Sequence, residues 1–221
     1  LKSGFYVIVF DDLSTGKIEN IEGHMEEKSF NFVRGDLRSF PAFKHVLGDV
    51  EAVFHLAAIS SVPYSIRYPH ETWQVNVDGT RKLLEACISS GVEKFIYVST
   101  CAVYGEAKYL PIDEGHPTSP LSPYAVSKLE AERLCWDFYE KYGLKTVVLR
   151  LFNVYGPRMR EDQYCSVIPS FIRRLLAKKP PIIYGDGKQT RDFIWVEDVV
   201  KALMLTLDNS KAYGLSLIHI S

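Results

Sequence analysis

The sequence predicts an α/β fold in which short strands form a parallel sheet. Short apolar, β-branched runs alternate with longer polar or amphipathic stretches, an order typical of βαβ units. The 221 residues are 47% hydrophobic and 24% charged, a composition that can bury a core and excludes a disordered chain. Two amphipathic stretches stop at Gly91 and Gly143, and glycine commonly closes helices.

The predicted elements follow in chain order. The predicted strands are residues 6–10, 30–33, 52–56, 95–99 and 146–151, and the predicted helices are residues 71–90 and 125–142. The sequence pattern changes near residue 164. From there it predicts a helix over 164–178, a break at Pro180-Pro181, a strand over 182–184 and a helix over 196–207. We interpret this last part as a smaller lobe attached to the sheet.

Charge and cysteine usage exclude several classes of protein. The chain has 26 basic and 27 acidic residues, so nothing draws it generally to nucleic acid or to an acidic membrane. No apolar run spans a bilayer and no leader opens the chain, so we expect a cytoplasmic protein. Cys87, Cys101, Cys135 and Cys165 are widely spaced and are interpreted as reduced thiols, and His55 as a core histidine, without any metal site.

A tyrosine and a lysine begin the second helix. Ser122 suits the N-cap and Pro123 the first helical position, so Tyr124 and Lys128 share one face. A nearby ammonium favours the phenolate and would make Tyr124 a base near neutral pH. Alone, this pattern more often marks surface neighbours. Thr100 ends a predicted strand at the carboxyl edge, where it is either a substrate contact or an ordinary strand-end threonine.

Asp11 and Asp12 directly follow the first predicted strand. A dinucleotide-binding fold places a carboxylate there to accept hydrogen bonds from the adenosine ribose, and that carboxylate would repel a 2′-phosphate. The two acids predict NAD in preference to NADP, or else simply form a turn. The corresponding glycine-rich loop would lie about 20 residues upstream.

The ordered motifs carry a family resemblance. The motifs are Asp11-Asp12-Leu13-Ser14, Gly35-Asp36-Leu37, His55-Leu56-Ala57-Ala58, Asn76-Val77-Asp78-Gly79-Thr80, Ser99-Thr100 through Val103-Tyr104-Gly105, Tyr124 to Lys128, and Phe152-Asn153-Val154-Tyr155-Gly156-Pro157. On these motifs the chain resembles the extended short-chain dehydrogenase/reductase family, in particular its NAD-dependent epimerases and dehydratases, and most closely the UDP-glucose 4-epimerases.

The resemblance implies a Rossmann-type doubly wound parallel sheet that lacks its first strand and glycine loop. It implies an NAD-binding domain over residues 1–160 and a partial nucleotide-sugar-binding lobe over 161–214. Residues 215–221 resemble a sequencing adapter, and we interpret them as a non-native tail. Because the absent strand is central in the order 3-2-1-4-5-6, we expect this polypeptide by itself to be unstable and inactive.

The resemblance also implies roles for particular residues. The implied catalytic residues are Thr100, Tyr124 and Lys128. The implied NAD contacts are Asp11, Asp12, Asp36, Leu37, Leu56, Ala57, Ala58, Tyr124 and Lys128. The implied substrate contacts are Thr100, Asn153, Val167, Tyr184 and Arg191, of which Arg191 would pair with the diphosphate.

The implied activity is reversible C4 epimerisation of a nucleotide sugar through a transient 4-keto intermediate. The alternatives are a related dehydratase or decarboxylase, or an NAD-binding relative without turnover. The 4,6-dehydratases usually follow the catalytic threonine with Asp and Glu, whereas Cys101 and Ala102 follow Thr100 here, which counts against dehydration. Related proteins pair through the two long helices, so the resemblance implies a homodimer.

Overall fold

The computed structural model describes residues 1–39, 43, 45–159, 166–209 and 212–213, and the backbone of 217–220. Within these ranges the strands lie in three parallel sheets. In chain order they are β1 (Val7–Asp11), β2 (Phe30–Arg34), β3 (Ala52–His55), β4 (Lys94–Thr100), β5 (Lys145–Leu151), β6 (Asn153–Tyr155), β7 (Phe193–Trp195) and β8 (Leu217–Ile220).

The largest sheet has the strand order β3-β4-β5-β8, and β1-β2 and β6-β7 form separate pairs. All the pairings are parallel. In the register of β4 with β5, Ser99 lies opposite Arg150 and Thr100 opposite Leu151. The carboxyl ends of these central strands therefore share one edge, where open α/β sheets bind ligands.

Within the same described ranges, six α-helices connect the strands. They are α1 (Val62–Arg67), α2 (Pro69–Trp73), α3 (Thr80–Ser90), α4 (Pro123–Tyr142), α5 (Val167–Leu176) and α6 (Val196–Asp208). A π-helical segment, Gln74–Gly79, joins α2 to α3, and short 3₁₀ turns cover Ile18–Asn20, Glu22–His24 and Cys101–Tyr104.

The central strands bury both of their faces. Phe95 and Tyr97 of β4 pack in a core with α3 and α4, whereas Ile96 lies in a second core with Val199 and Leu203 of α6. Successive strand residues point to opposite faces, so helices on both sides explain why this strand is apolar almost throughout. The doubly wound parallel architecture is thereby confirmed.

Most predicted elements are present, with their bounds moved by one or two residues. Gly91 and Gly143 adopt the left-handed conformation at the helix ends, with φ of 75° and 71°. The helix predicted over 71–90 begins at Pro69 and passes through the π-helical segment, which a period of 3.6 residues does not reveal.

The second lobe departs further from the prediction. The strand predicted over 182–184 is wrong: these residues carry no strand, and β7 forms later in the chain, paired with β6. Tyr164 and Cys165 lie outside the described residues, and the helix predicted there is α5. The backbone of β8, in the region interpreted as a tail, lies parallel to β5. A strand is defined by its partner, so short apolar runs do not locate it.

Along the described parts of the chain, no helix is long and apolar enough to cross a membrane. Cys87, Cys101 and Cys135 are free thiols, as predicted, and no group of three His, Cys, Asp or Glu side chains within the described ranges is arranged to hold a metal ion. His55 is 2% exposed and its Nε2 lies 2.7 Å from Thr80 Oγ1, which confirms a hydrogen-bonded core histidine.

We expect His55 to make the fold sensitive to acid. Burial lowers the pKa of His55 to about 3, well below its ordinary 6.5. Between these values the unfolded state binds the additional proton, so the free energy of unfolding falls as pH decreases from 6.5 towards 3, by roughly 1.4 kcal/mol per unit. Urea unfolding from pH 7 to 4 measures this slope.

His55→Gln should flatten that slope, whatever its effect on stability at pH 7. His70→Gln is the matched control, because His70 is exposed in the first turn of α2. An unchanged slope in His55→Gln would contradict the assignment.

Candidate active site

The start of α4 holds Tyr124 in a fixed place. The Ser122 hydroxyl accepts a hydrogen bond from the Ala125 N–H at 3.1 Å, which caps the helix, and Pro123 occupies the first turn. The Tyr124 N–H donates to Ser65 Oγ of α1 at 3.1 Å. These contacts fix the first turn of α4 against α1, as the predicted cap requires.

Thr100 and Tyr124 meet through their side chains. Thr100 is the last residue of β4, and its Oγ1 accepts a hydrogen bond from the Ala102 N–H at 3.2 Å. The Thr100 side chain also acts on the Tyr124 phenol, whose pKa it lowers. The structure therefore brings together two hydroxyl groups that stand 24 residues apart in the sequence, at the carboxyl edge of the sheet.

The sequence predicts that the Lys128 ammonium lowers the pKa of the Tyr124 phenol, and the structure does not show this effect. Burial raises the pKa of Tyr124, and the Thr100 side chain only partly opposes that rise. Lys128 is not among the groups that act on the phenol. The two residues share a helix face as predicted, but the ammonium does not lower the pKa of the phenol here.

Lys128 lies in the core instead of at the surface. It is 3% exposed, its Nζ donates to the Val98 carbonyl at 2.7 Å, and this nitrogen lies 4.2 Å from the centre of the Tyr97 ring. Burial lowers the pKa of Lys128 to about 7, while Cys135 and Glu132 raise it. The ammonium is thus close to losing its proton at neutral pH.

The π-helical segment carries Asn76, which ties three elements together. Its Oδ1 accepts from the Ile59 N–H at 2.8 Å, and its Nδ2 donates to the Ile59 carbonyl at 3.0 Å and to Ser127 Oγ at 2.9 Å. Ser127 in turn donates to the Tyr124 carbonyl at 2.7 Å. The loop after β3 is thereby held beside the first turn of α4.

The residues assigned to the cofactor lie along the carboxyl edges of β1, β2 and β3. Asp11 accepts from the Leu13 N–H at 2.7 Å and Asp12 from the Ser14 N–H at 2.8 Å, so both carboxylates shape the turn. After β3, Leu56 is 58% exposed, Ala57 is exposed and Ala58 is half-buried. These positions offer carboxylate acceptors after β1 and an apolar surface after β3.

Asp36 and Leu37 already have protein partners. The Arg38 guanidinium donates to both oxygens of Asp36, with the shortest distance 2.6 Å, and lowers the pKa of that carboxyl. The Leu37 side chain is 8% exposed and packs in the core with Phe43 and Val77. The expectation that Leu37 flanks adenine is therefore limited to its backbone.

In the second lobe, Val167 and Tyr184 line one cavity of about 610 Å³, a size typical of ligand sites. Its wall also carries three cations, Arg173, Arg174 and Lys179. The two residues assigned to the nucleotide base are thus brought together, and the cations make their surroundings favourable for an anion.

Asn153 and Arg191 do not line that cavity. Asn153 Nδ2 donates to the Asp192 carbonyl at 2.8 Å, which fixes the start of β6 beside the segment before β7. Arg191 is exposed, and its charge acts on the Cys101 thiol next to Thr100. These two residues therefore lie on the side of the lobe that faces the sheet edge.

Sequence reasoning missed a buried polar cluster behind Lys128. Ser99, Glu132 and Arg150 are 4%, 7% and 4% exposed. Two signals could have found it: Glu132 follows Lys128 by one turn on the buried face of α4, and Arg150 interrupts an apolar strand. A charge at a buried position requires a partner.

The comparisons with known proteins bear on this geometry. The model of the NAD dependent epimerase/dehydratase family matches residues 1–216. The chain belongs to this family.

Individual relatives have related activities. A putative UDP-glucose 4-epimerase of Methanocaldococcus jannaschii is 39% identical over 94% of this chain and 67% of its own length. A dTDP-D-glucose 4,6-dehydratase of Mus musculus is 35% identical over 92% of this chain and 57% of its own length. The structure of UDP-N-acetylglucosamine 4-epimerase from Methanobrevibacter ruminantium M1, in complex with UDP-N-acetylmuramic acid, superimposes with a TM-score of 0.92 at 40% identity, covering 98% of this chain and 68% of that one.

The chain spans about two thirds or less of the length of the curated relatives it matches, for example 67%, 61% and 65%. The relatives include both epimerases and dehydratases. The family and the Rossmann-type fold expected from the motifs are confirmed.

NAD is the cofactor of this family, and the residues at the sheet edge fit it. Asp11 and Asp12 offer carboxylate oxygens, which suit ribose hydroxyls, and Leu56 and Ala57 offer an exposed apolar surface after β3. The Tyr97 hydroxyl beneath Lys128 is buried and has no hydrogen-bond partner among the described residues. The Tyr97 hydroxyl can therefore still form a hydrogen bond close to the buried Lys128 side chain.

We expect Lys128→Met to raise the free energy of unfolding at pH 7. The folded-state pKa lies near 7, below the ordinary 10.5, so between these values the unfolded state binds the additional proton and stability rises with pH. Replacing the buried cation removes this cost, which should stabilise the fold by roughly 1–3 kcal/mol, measured by urea unfolding at pH 7 and 10.

Lys141→Met is the control on the same helix. The Lys141 side chain is 64% exposed and its Nζ lies 3.6 Å from Asp137, so the change should stay within about 0.5 kcal/mol. A Lys128→Met protein that unfolds more easily at pH 7 than the parent would show that the buried ammonium stabilises the fold.

Proposed function

We propose that the protein catalyses NAD-dependent C4 epimerisation of a nucleotide sugar of the UDP-glucose/UDP-galactose type, through a transient 4-keto intermediate. The observation that carries this proposal is the contact between the Thr100 and Tyr124 side chains at the carboxyl edge of β4, one helical turn from Lys128. The family and its 4-epimerase relatives support it.

The edge carrying Asp11, Asp12, Leu56, Ala57 and Ala58 is the proposed cofactor site. When bound, NAD supplies a hydride acceptor that returns the hydride to the sugar. The two carboxylates accept hydrogen bonds from the adenosine ribose, and their negative charge disfavours a 2′-phosphate. Asp36 and the backbone of Leu37 border adenine, and Lys128 borders the nicotinamide ribose.

Tyr124 is the proposed base. Its phenol oxygen removes the proton of the sugar 4-hydroxyl, and the Thr100 hydroxyl orients that oxygen by a hydrogen bond. Because burial raises the pKa of Tyr124, the phenolate needs added positive charge, which Lys128 can supply only in its protonated form. The same phenol returns the proton when the 4-keto group is reduced on its opposite face.

The second lobe is the proposed nucleotide site. The cavity lined by Val167 and Tyr184 takes the base, with Arg173, Arg174 and Lys179 on its wall. Asn153 and Arg191 border the diphosphate between this cavity and Thr100, and the guanidinium of Arg191 matches phosphate oxygens in geometry and charge. Binding held by the nucleotide leaves the sugar free to turn.

The residues after Thr100 disfavour dehydration. Cys101 is half-buried, and burial raises the pKa of its thiol, so the group stays protonated at neutral pH and cannot act as a base. Ala102 offers no proton at all. The acid and base that elimination requires are therefore missing at the two positions where dehydratases of this family usually carry them.

We expect Tyr124→Phe to reduce epimerisation of UDP-glucose by at least about 1,000-fold, because it removes the base but little volume. The full-length protein is assayed for UDP-galactose formation. Tyr142→Phe is the control, since Tyr142 lies at the exposed end of α4 and is 59% exposed. Undiminished turnover in Tyr124→Phe would show that Tyr124 is not the base. NADH binding without turnover of any nucleotide sugar would favour an NAD-binding sensor without catalytic activity.

We expect Tyr184→Ala to raise KM for the nucleotide sugar about tenfold while kcat changes less than about threefold, because the side chain borders the base and not the reacting carbon. Leu176→Ala is the control: Leu176 is 81% exposed in the same lobe and does not line the cavity. A fall in kcat at constant KM would place Tyr184 elsewhere.

The domain division at residue 160, homodimerisation and cytoplasmic location stay predictions. Trp73 of α2 and Trp136 of α4 are 40% and 38% exposed, and this apolar surface supports pairing through the long helices. A monomeric mass at micromolar concentration would count against the dimer.

A further inference from the structure

We propose that the buried ion pair between Glu132 and Arg150 positions Tyr124 and Lys128 against Thr100, a role that rests on the proposed function. Glu132 and Arg150 are 7% and 4% exposed, and the contacts they make are with protein side chains. Both are therefore positioning residues, which act through the helix and strands that carry the catalytic groups.

The spacing along α4 places Glu132 behind the catalytic pair. Tyr124, Lys128 and Glu132 follow one another at intervals of four residues, so they share one face of the helix. Glu132 is 7% exposed and faces the sheet. Any rotation of α4 that moves its carboxylate also moves the phenol of Tyr124.

Arg150 holds that carboxylate from the neighbouring strand. Its Nε lies 3.0 Å from Oε1 and 3.2 Å from Oε2, and its Nη2 lies 2.6 Å from Oε2 of Glu132. The two planar groups thus meet edge to edge, a geometry that fixes direction as well as distance. The pair sets both the height and the rotation of α4 over β5.

The same cluster contacts the chain on both sides of Thr100. The Ser99 hydroxyl, one residue before Thr100, donates a hydrogen bond to the Glu132 carboxylate. The Arg150 guanidinium also lies 4.8 Å from the centre of the ring of Tyr104, in the turn that follows Thr100. Thr100 is therefore held between two residues that contact one ion pair, and the helix bearing Tyr124 is held by that pair too.

The pair also acts on Lys128 through its charge. The Glu132 carboxylate raises the pKa of Lys128 against the effect of burial. The other titratable groups facing this lysine are Cys135, which also raises its pKa, and the residues Tyr97 and His55 on adjacent strands. Glu132 is the carboxylate among them, so its loss would leave the ammonium buried without a nearby anion.

The test compares two glutamates of one helix in the full-length protein. Glu132→Gln removes the charge of the buried pair, and Glu130→Gln removes the charge of an exposed pair in which Glu130 lies 3.0 Å from Arg133. We expect kcat to fall about 100-fold in Glu132→Gln while KM stays within about twofold, since a shift of about 1 Å in catalytic geometry has such an effect. Glu130→Gln should keep both constants.

A second measurement reads Tyr124 directly and needs no turnover. In protein labelled with ¹³Cζ-tyrosine, the Tyr124 resonance is assigned by its loss in Tyr124→Phe. We expect Glu132→Gln to shift this resonance, because the phenol moves relative to Thr100, and Glu130→Gln to leave it unchanged. If the parent shows no turnover of nucleotide sugars, the proposed function fails, and the resonance alone decides whether the pair positions Tyr124.

A folded Glu132→Gln protein with the parent's kcat and an unshifted Tyr124 resonance overturns the proposal, as does a rise in KM without a fall in kcat. If Glu132→Gln does not fold, Arg150→Lys is measured in the same two ways, because it keeps the charge but loses the two-pronged contact. Parent-like kcat and resonance in Arg150→Lys would then overturn it.

Discussion

The packing of one polar helix face against the sheet is the constraint on which the rest of the structure depends. The inner face of α4 buries Ser127, Lys128 and Glu132, and each of these needs a partner because water does not reach it. Asn76, the Val98 carbonyl and Arg150 provide those partners from three other elements. The helix can therefore dock in one register only, and that register brings Tyr124 to Thr100.

Burying these charged groups lowers the stability of the fold, but it also places ionisable side chains near the candidate active site. A lysine at 3% exposure and an ion pair at 7% and 4% exposure stand where apolar side chains would fit, and burying charge is costly even when it is paired. In return, the pKa of the Lys128 ammonium lies near neutral pH. Its charge state responds to small changes nearby, which suits the proposed transfer and return of one proton.

The two lobes differ in how they present their functional residues. Those near the sheet edge are held by buried contacts, whereas every described side chain of α5 retains some exposure, and the cavity beside it is lined by cationic side chains such as Arg173 and Arg174. Rigid placement suits proton transfer, which depends on sub-ångström geometry. Recognition of a nucleotide by charge and apolar contact tolerates more freedom.

The sequence by itself determined the parallel α/β fold and the two glycine-terminated helices, because periodicity and caps are local signals, and its ordered motifs determined the family. Tertiary structure alone decided that Lys128 turns into the core, that residues 182–184 form no strand, and that Glu132 meets Arg150. Burial and pairing depend on residues distant in the chain, 18 positions apart for the ion pair, so a local pattern can indicate a buried charge but does not identify its partner.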